Sequence, residues 1–283
     1  MNYIKEIYDI FKKSSGVYTD SRNPLKNGLF FALSGEKYNG NDYAAESLHK
    51  GAISAVVDNE ELASKSNKFI YVKNSLETLQ RLASFHRQKF KCPVLAITGS
   101  NGKTTTKELL KIVLSKKHNT HATIGNLNNH IGVPITILNT PISSDFLIIE
   151  MGANHLNEIK NLCKIAKPTH GFITNFGLAH LEGFGGKEGV IKGKSELYDF
   201  LDSSNGEIFV NHDNQNQINK LGNKNKLVPR TACPLSSFVA IPAAPSRRNW
   251  TASPLYNSSA TPVPRVCGQS HGDAENSTLR FPE

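Results

Sequence analysis

The stretch Thr98-Gly-Ser-Asn-Gly-Lys-Thr-Thr105 decides the fold of this 283-residue chain, because it forms a glycine-rich turn between a strand pattern and a helix pattern. The preceding Pro93-Val-Leu-Ala-Ile-Thr98 is apolar almost throughout, which is typical of a strand buried on both faces. Residues 103–116 favour a helix. In such a turn, the backbone N–H groups and the helix dipole favour a phosphate group. The stretch therefore predicts a phosphate-binding loop that uses ATP.

Within this loop, Lys103 is expected to neutralise the β- and γ-phosphates, and Thr104 is expected to bind magnesium. The spacing departs from the general G-x-x-x-x-G-K-T pattern, because Ile97 stands where that pattern has its first glycine. The alternative interpretation is a glycine turn with a surface lysine. The residues expected to bind nucleotide are Gly99, Ser100, Asn101, Gly102, Lys103, Thr104 and Thr105.

Two further candidates follow predicted strands. Glu150 ends the apolar run 146–150, and the carboxyl ends of parallel strands are where such sheets bind ligands, so we expect a magnesium ligand there. A strand-end carboxylate facing solvent is the alternative. His180 lies in a glycine-rich loop after the predicted strand 171–175, and its role is either metal or phosphate binding or a purely structural one.

Lys194 lies on the apolar stripe of a predicted helix over 187–201. Val190, Lys194, Leu197 and Leu201 are spaced at i, i+4, i+7 and i+11, whereas Lys192 points away from that stripe. A lysine on a buried face is costly unless it is paired or used chemically. Its ammonium could also extend to solvent, and the stripe leaves both interpretations open.

An asparagine-rich segment, Gly125-Asn-Leu-Asn-Asn129, offers amide donors and acceptors to a polar ligand. Asparagine-rich segments are also commonly simple turns, so both interpretations stay open.

The chain alternates strand and helix patterns, which predicts an α/β fold with right-handed crossovers and parallel sheets. We expect a small N-terminal α/β domain at 1–85 with strands at 28–33 and 52–57. A central ATP-binding domain is expected at 86–227. The remaining predicted elements are helices at 43–50, 75–90 and 155–165.

Composition changes abruptly near residue 228. Residues 1–227 hold all 25 lysines and three arginines, whereas residues 228–283 hold five arginines and eight of the 13 prolines. The tail shows no helical or strand period. We interpret 228–283 as foreign, frame-shifted or disordered sequence, with a natural disordered linker as the alternative.

The bulk composition excludes several classes of protein. The net charge of +9 comes from dispersed lysines, so nucleic acid is not an expected partner. Four scattered cysteines without a C-x-x-C pair indicate neither a disulfide framework nor a zinc site. No apolar run is long enough to span a membrane, and the N-terminus lacks the pattern of an export signal. We therefore expect a cytoplasmic protein.

Four segments in the same order as in a known family resemble the Mur ligases, and their detailed forms favour the MurF type within that family. Asp20-Ser-Arg22 is similar to the part of the family's N-terminal domain that holds the UDP-sugar. The four segments are residues 97–106, 125–129, 150–153 and 180–185.

The resemblance implies ATP-dependent joining of D-alanyl-D-alanine to UDP-N-acetylmuramoyl tripeptide through an acyl phosphate, in peptidoglycan precursor synthesis. It implies two Mg²⁺ sites, in which Thr104 and Glu150 hold one ion and His180 helps to hold the second. It also implies that Lys194 is carbamylated by CO₂ and becomes a metal ligand. The remaining implied contacts are Asn126 and Asn129 with nucleotide, and Ser21, Arg22 and Asn128 with substrate.

The resemblance ends at about residue 226. The family's C-terminal domain closes over ATP, so we expect this chain to be inactive or unstable, since the reacting groups would not be held together. We also expect a monomer. The alternatives are a MurE-like or folylpolyglutamate synthase-like ligase, or a nucleotide-binding fragment without catalysis.

Overall fold

The computed structural model describes residues 2–211 and 214–221. The tail at 228–283, with its predicted foreign or disordered character, lies outside these residues. The strands are β1 Val17–Tyr18, β2 Leu29–Phe31, β3 Ser34–Gly35, β4 Tyr38–Asn39, β5 Ser54–Val57, β6 Phe69–Tyr71, β7 Val94–Thr98, β8 Thr120–Ala122, β9 Phe146–Glu150, β10 His170–Ile173 and β11 Glu207–Phe209.

Helices connect most of these strands. A 3-10 turn, Gly40–Tyr43, leads into α2. The α-helices are α1 Asn2–Phe11, α2 Ala44–His49, α3 Glu60–Ala63, α4 Ser75–Arg87, α5 Lys103–Leu114, α6 Gly132–Leu138, α7 Glu158–Ala166, α8 Leu181–Phe184, α9 Lys187–Ser203 and α10 Gln215–Leu221.

Two parallel sheets organise the described residues, which confirms the predicted α/β class. The first has the order β1-β2-β5-β6, and the second has the order β11-β10-β7-β9-β8. Strands β3 and β4 form a separate antiparallel pair. In the second sheet, Ile97 of β7 pairs with Glu150 of β9, and Thr98 pairs with Ile173 of β10. Three strands therefore end together at one edge, where parallel sheets bind ligands.

Strand β7 is buried on both faces, as its apolar run predicts. Leu95 and Ile97 pack with Leu110 of α5 on one face. Val94 and Ala96 belong to the larger core on the other face, which α4, α6, α7 and α9 help to build. Since α5 covers one face and several helices cover the other, the loop after β7 is held at the centre of the sheet edge.

Helix α4 connects the two sheets. Its Arg87 is buried and donates from Nε to the carbonyl of Ala166 (2.7 Å) and from Nη2 to that of Lys167 (2.8 Å), at the end of α7. The side chain of Asn139 bonds both the N–H and the carbonyl of Val17 in β1. The predicted domain boundary after residue 85 falls inside α4, and it stays a prediction.

No described helix is long and apolar enough to cross a membrane. Cys92 and Cys163 are free thiols, while Cys233 and Cys267 lie outside the described residues.

Candidate active site

The loop between β7 and α5 has the conformation that its glycines predict. Gly102 precedes the helix with φ +77°, a left-handed conformation that glycine adopts without steric cost. Lys103 begins α5, and its Nζ donates to the carbonyls of Gly99 (2.7 Å) and Ser100 (3.2 Å). Burial lowers the pKa of Lys103, and the charge of Glu150 opposes that shift. Among the described residues, no carboxylate contacts this buried cation directly.

Residues after β10 hold this loop in place. The Ser100 N–H donates to the carbonyl of Asn175 (3.1 Å), and the Asn101 N–H donates to the Asn175 side chain (3.2 Å). Thr174 Oγ1 donates to the carbonyl of Asn101 (2.6 Å). Asn175 lay inside a predicted strand, so sequence reasoning did not identify it as a support of the loop.

Gly99 gives a direct test of this packing. Its φ is +139°, and an added Cβ would lie 2.0 Å from Thr174 Oγ1. We expect Gly99→Ala to lower the free energy of unfolding by about 2 kcal/mol or more, since strain and a clash add together. Urea denaturation measures the loss.

Gly102→Ala is the matched control, because its Cβ would meet nothing within 4 Å. It should cost only the left-handed strain of about 1–2 kcal/mol. An equal or larger loss at Gly102 would contradict the packing role of Gly99.

Glu150 is buried beside the loop, with 1% of its surface exposed, so it does not face solvent. Its Oε2 accepts from Thr104 Oγ1 (3.0 Å), and its Oε1 accepts from Asn128 Nδ2 (2.8 Å). Lys107 of α5 is fully buried, and its Nζ lies 3.8 Å from Oε2. The sequence interpretation did not include Lys107, although it lies one helical turn after Lys103.

The three asparagines of the 125–129 segment have different surroundings. Asn128 contacts Glu150, and Asn129 Oδ1 accepts from the N–H groups of Ile131 (3.1 Å) and Gly132 (2.9 Å) at the start of α6. Asn126 is exposed. The Asn129 side chain therefore caps the start of α6, and the Asn128 side chain bonds the candidate magnesium ligand. Their ligand contacts stay predictions.

Lys194 is buried on α9, as its stripe predicts, and Lys192 is exposed. The Lys194 Nζ donates to the carbonyl of Ala153 (3.0 Å) and lies 5.1 Å from the centroid of the Phe184 ring. Burial, and then repulsion from Lys103, lowers the pKa of Lys194 to about 8 against weaker attraction from Glu158 and Glu196. The ammonium therefore does not reach solvent along its stem.

An open pocket of about 720 Å³ joins several of these residues. Lys103, Asn128, Asn129 and His180 line it, and His180 is exposed with φ +57° just before α8. The sequence interpretation missed further lining residues because they come from α4, α7 and the loops before α6 and α7. These are Gln80, His130, Asn154, Glu158, Asn161 and Lys164.

Ser21 and Arg22 do not line this pocket. Arg22 donates from Nε and Nη2 to the two carboxylate oxygens of Asp20, both at 2.9 Å, and these bonds lower the pKa of Asp20 to about 2. The Ser21 carbonyl accepts from Lys50 Nζ (3.1 Å). This group lies after β1, at the carboxyl edge of the first sheet.

The donor set fits a magnesium nucleotide. Among residues 2–211 and 214–221, no three His, Cys, Asp or Glu side chains cluster as a metal site. Magnesium usually takes one or two carboxylates and completes its shell with phosphates and water. Thr104 supplies a hydroxyl oxygen and Glu150 a carboxylate oxygen, 3.0 Å apart beside the loop.

Residues 97–231 match the family model described as the Mur ligase middle domain. The UDP-N-acetylmuramoyl-tripeptide–D-alanyl-D-alanine ligase of Haemophilus influenzae is 40% identical over 199 residues, which cover 69% of this chain and 43% of the relative. The corresponding ligase of Escherichia coli is 39% identical over 203 residues, 72% of this chain and 44% of the relative. The chain thus spans less than half the length of these curated relatives.

Solved structures show the same similarity. The MurF ligase of Thermotoga maritima in complex with ADP is 31% identical with a TM-score of 0.69, covering 78% of this chain and 51% of that one. A MurF structure from Acinetobacter baumannii is 35% identical with a TM-score of 0.62, covering 69% of this chain and 42% of that one.

Proposed function

This chain is homologous to Mur ligases of the MurF type, and on that premise we propose that it binds ATP and a UDP-linked substrate for ATP-dependent amide bond formation. The substrates we propose are UDP-N-acetylmuramoyl tripeptide and D-alanyl-D-alanine, which the relatives' names specify. The observation that carries the proposal is the phosphate loop with Thr104 bonded to the buried Glu150 at the sheet edge.

The loop would hold the triphosphate through its backbone N–H groups at the start of α5. Lys103 would leave the carbonyls of Gly99 and Ser100 and neutralise the transferring phosphoryl group. Thr104 and Glu150 would hold magnesium, which stabilises the charge that develops on the phosphate oxygens. Thr104 and Glu150 already lie beside each other, so neither side chain would have to move far to share one ion.

We propose that Lys194 and His180 serve a second cation near the acceptor carboxylate. CO₂ adds only to an uncharged amine, and a pKa of about 8 leaves much more uncharged Lys194 near neutrality than an ordinary lysine would have. The burial that lowers this pKa therefore supports carbamylation. His180 lines the pocket, whereas Lys194 lies behind Ala153, which also lines it.

We also propose that residues at the edge of the first sheet contact the UDP-linked substrate. Arg22 is exposed and held by Asp20, so its guanidinium is a preorganised group for an anionic ligand such as a diphosphate. Asn126 and Asn129 stay predicted nucleotide contacts. Cytoplasmic location, a monomeric state and an inactive isolated chain also stay predictions.

The test is titration of the purified 283-residue chain with ATP and Mg²⁺, followed by phosphate release with both substrates. Binding of ATP in the low-millimolar range or tighter is expected. Release that requires UDP-muramoyl tripeptide and D-alanyl-D-alanine would assign the whole ligase reaction to this chain. Binding without release supports a nucleotide-binding role alone, and faster release with a diamino acid or glutamate would contradict the MurF assignment.

A further inference from the structure

Lys107 is a fully buried lysine beside the proposed nucleotide site that the proposed function does not use. It lies on α5 four residues after Lys103, and side chains at that spacing share one face of a helix. Burial of an ammonium group is costly unless opposite charge and hydrogen-bond acceptors surround it. The position of its Nζ is therefore informative.

Three groups surround the Lys107 Nζ. Glu108 Oε1 lies at 2.9 Å, the Gly125 carbonyl accepts at 3.3 Å, and Glu150 Oε2 lies at 3.8 Å. The Glu108 side chain is half exposed, so solvent screens its charge. The Glu150 side chain is 2% exposed, so its attraction to Lys107 is screened far less.

The other direct partners of the Glu150 carboxylate are neutral. Thr104 supplies a hydroxyl and Asn128 supplies an amide, and Lys103 Nζ bonds loop carbonyls. Lys107 is therefore the cation nearest to this carboxylate among the contacts that the structure describes. It also bonds Gly125, at the start of the segment that carries Asn128. One ammonium thus joins α5, the carboxylate and the asparagine segment.

We propose that Lys107 is a positioning residue that orients Glu150 for a magnesium nucleotide. This inference rests on the proposed function, because it concerns the same site. Side chains that orient a metal ligand typically change metal affinity by about 10- to 100-fold when they are removed. Lys107 is too enclosed to contact the nucleotide itself, so its effect should pass through magnesium.

The measurement is the ratio of ATP affinity with Mg²⁺ to ATP affinity in EDTA, by calorimetry on the full chain. We expect Lys107→Met to reduce this ratio by about tenfold or more. ATP affinity in EDTA should change by less than about threefold, because the phosphate loop is intact. Lys107→Gln keeps a donor near Gly125 but removes the charge, so it should reduce the affinity ratio by a similar factor. This variant decides the outcome if Lys107→Met does not fold.

Two controls separate this role from a general one. Lys111→Met removes a charge one turn further along α5 and should leave the ratio unchanged, and Glu108→Gln should leave it within about twofold because that carboxylate is solvent-exposed. An unchanged ratio in folded Lys107→Gln, or an equal loss in either control, overturns the proposal. Absence of Mg²⁺-dependent ATP binding in the unmodified chain would instead overturn the proposed function, and this inference with it.

Discussion

Lys103→Ala is expected to weaken ATP binding by on the order of 100-fold, because it removes the one lysine that the structure places inside the phosphate loop. The ammonium already lies against the loop, so a bound phosphate would exchange two carbonyl acceptors for a charged one. A phosphate brings a full negative charge to the ammonium, whereas the two loop carbonyls offer only dipoles. Calorimetric titration with ATP and Mg²⁺ measures the change.

Lys103→Ala should affect the stability of the fold much less than it affects ATP binding. Burial lowers the pKa of Lys103, so the folded chain accommodates its charge at a cost, and alanine removes that cost together with two hydrogen bonds. Thermal unfolding of Lys103→Ala should therefore stay close to that of the unmodified chain. Lys111→Ala, on the same helix but beyond the loop, is the control. An ATP affinity within about threefold of the original would remove Lys103 from the proposed site.

The middle of the second sheet was predictable because strands β7 and β9 are apolar and buried on both faces. The predicted strand 146–150 coincides with β9, and the predicted helix 187–201 differs from α9 only at its end, Ser203. Short edge strands such as β8 and β11 carry too few residues for a period to be read. Helix α6 was missed because Gly132-Val-Pro-Ile-Thr-Ile-Leu138 is apolar without a helical stripe, and Pro134 is tolerated only because it lies in the first turn.

The site was predictable in part for a related reason. The loop motif predicted Lys103 and Thr104, and the strand-end position predicted Glu150. The structure brings Thr104 and Glu150 to a hydrogen-bond distance of 3.0 Å. Spacing cannot show which distant groups support a motif. Asn175 holds the loop from the segment after β10, and Lys107 is one of many lysines in the sequence. Supporting contacts depend on tertiary pairing, and no local pattern encodes it.

Two lysines of the described residues are half or fully buried without a direct carboxylate contact. Burial lowers the pKa of both Lys103 and Lys194, and repulsion from Lys103 lowers that of Lys194 further. Such an arrangement destabilises the empty protein and favours a polyanionic ligand, since the cost of burying the charges is already met before binding. The structure therefore supports a site built for phosphates more than for fold stability.

Lys194 offers the clearest test of that cost. Its pKa falls from 10.5 in an ordinary lysine to about 8, so between these two values the unfolded chain binds more protons than the folded chain. The contribution of Lys194 to the free energy of unfolding must then rise with pH between these values. Below pH 8 the cost of burying the charged ammonium is present in full. The shift corresponds to about 3 kcal/mol. Relative to Lys194→Met, the unmodified chain should gain that amount between pH 7 and pH 10.5 in urea denaturation.

The comparison with methionine isolates the titration. Lys194→Met also loses the bond to the Ala153 carbonyl and changes the packing against Phe184. These losses change its free energy of unfolding by the same amount at every pH, so only the pH dependence of the difference reports on the ammonium. Buffers free of CO₂ are required, because carbamylation would remove the positive charge. Lys192→Met, on the exposed face of α9, should show no such slope. A difference between the unmodified chain and Lys194→Met that stays flat with pH would mean that Lys194 retains an ordinary pKa, and the physical basis for its carbamylation would be lost.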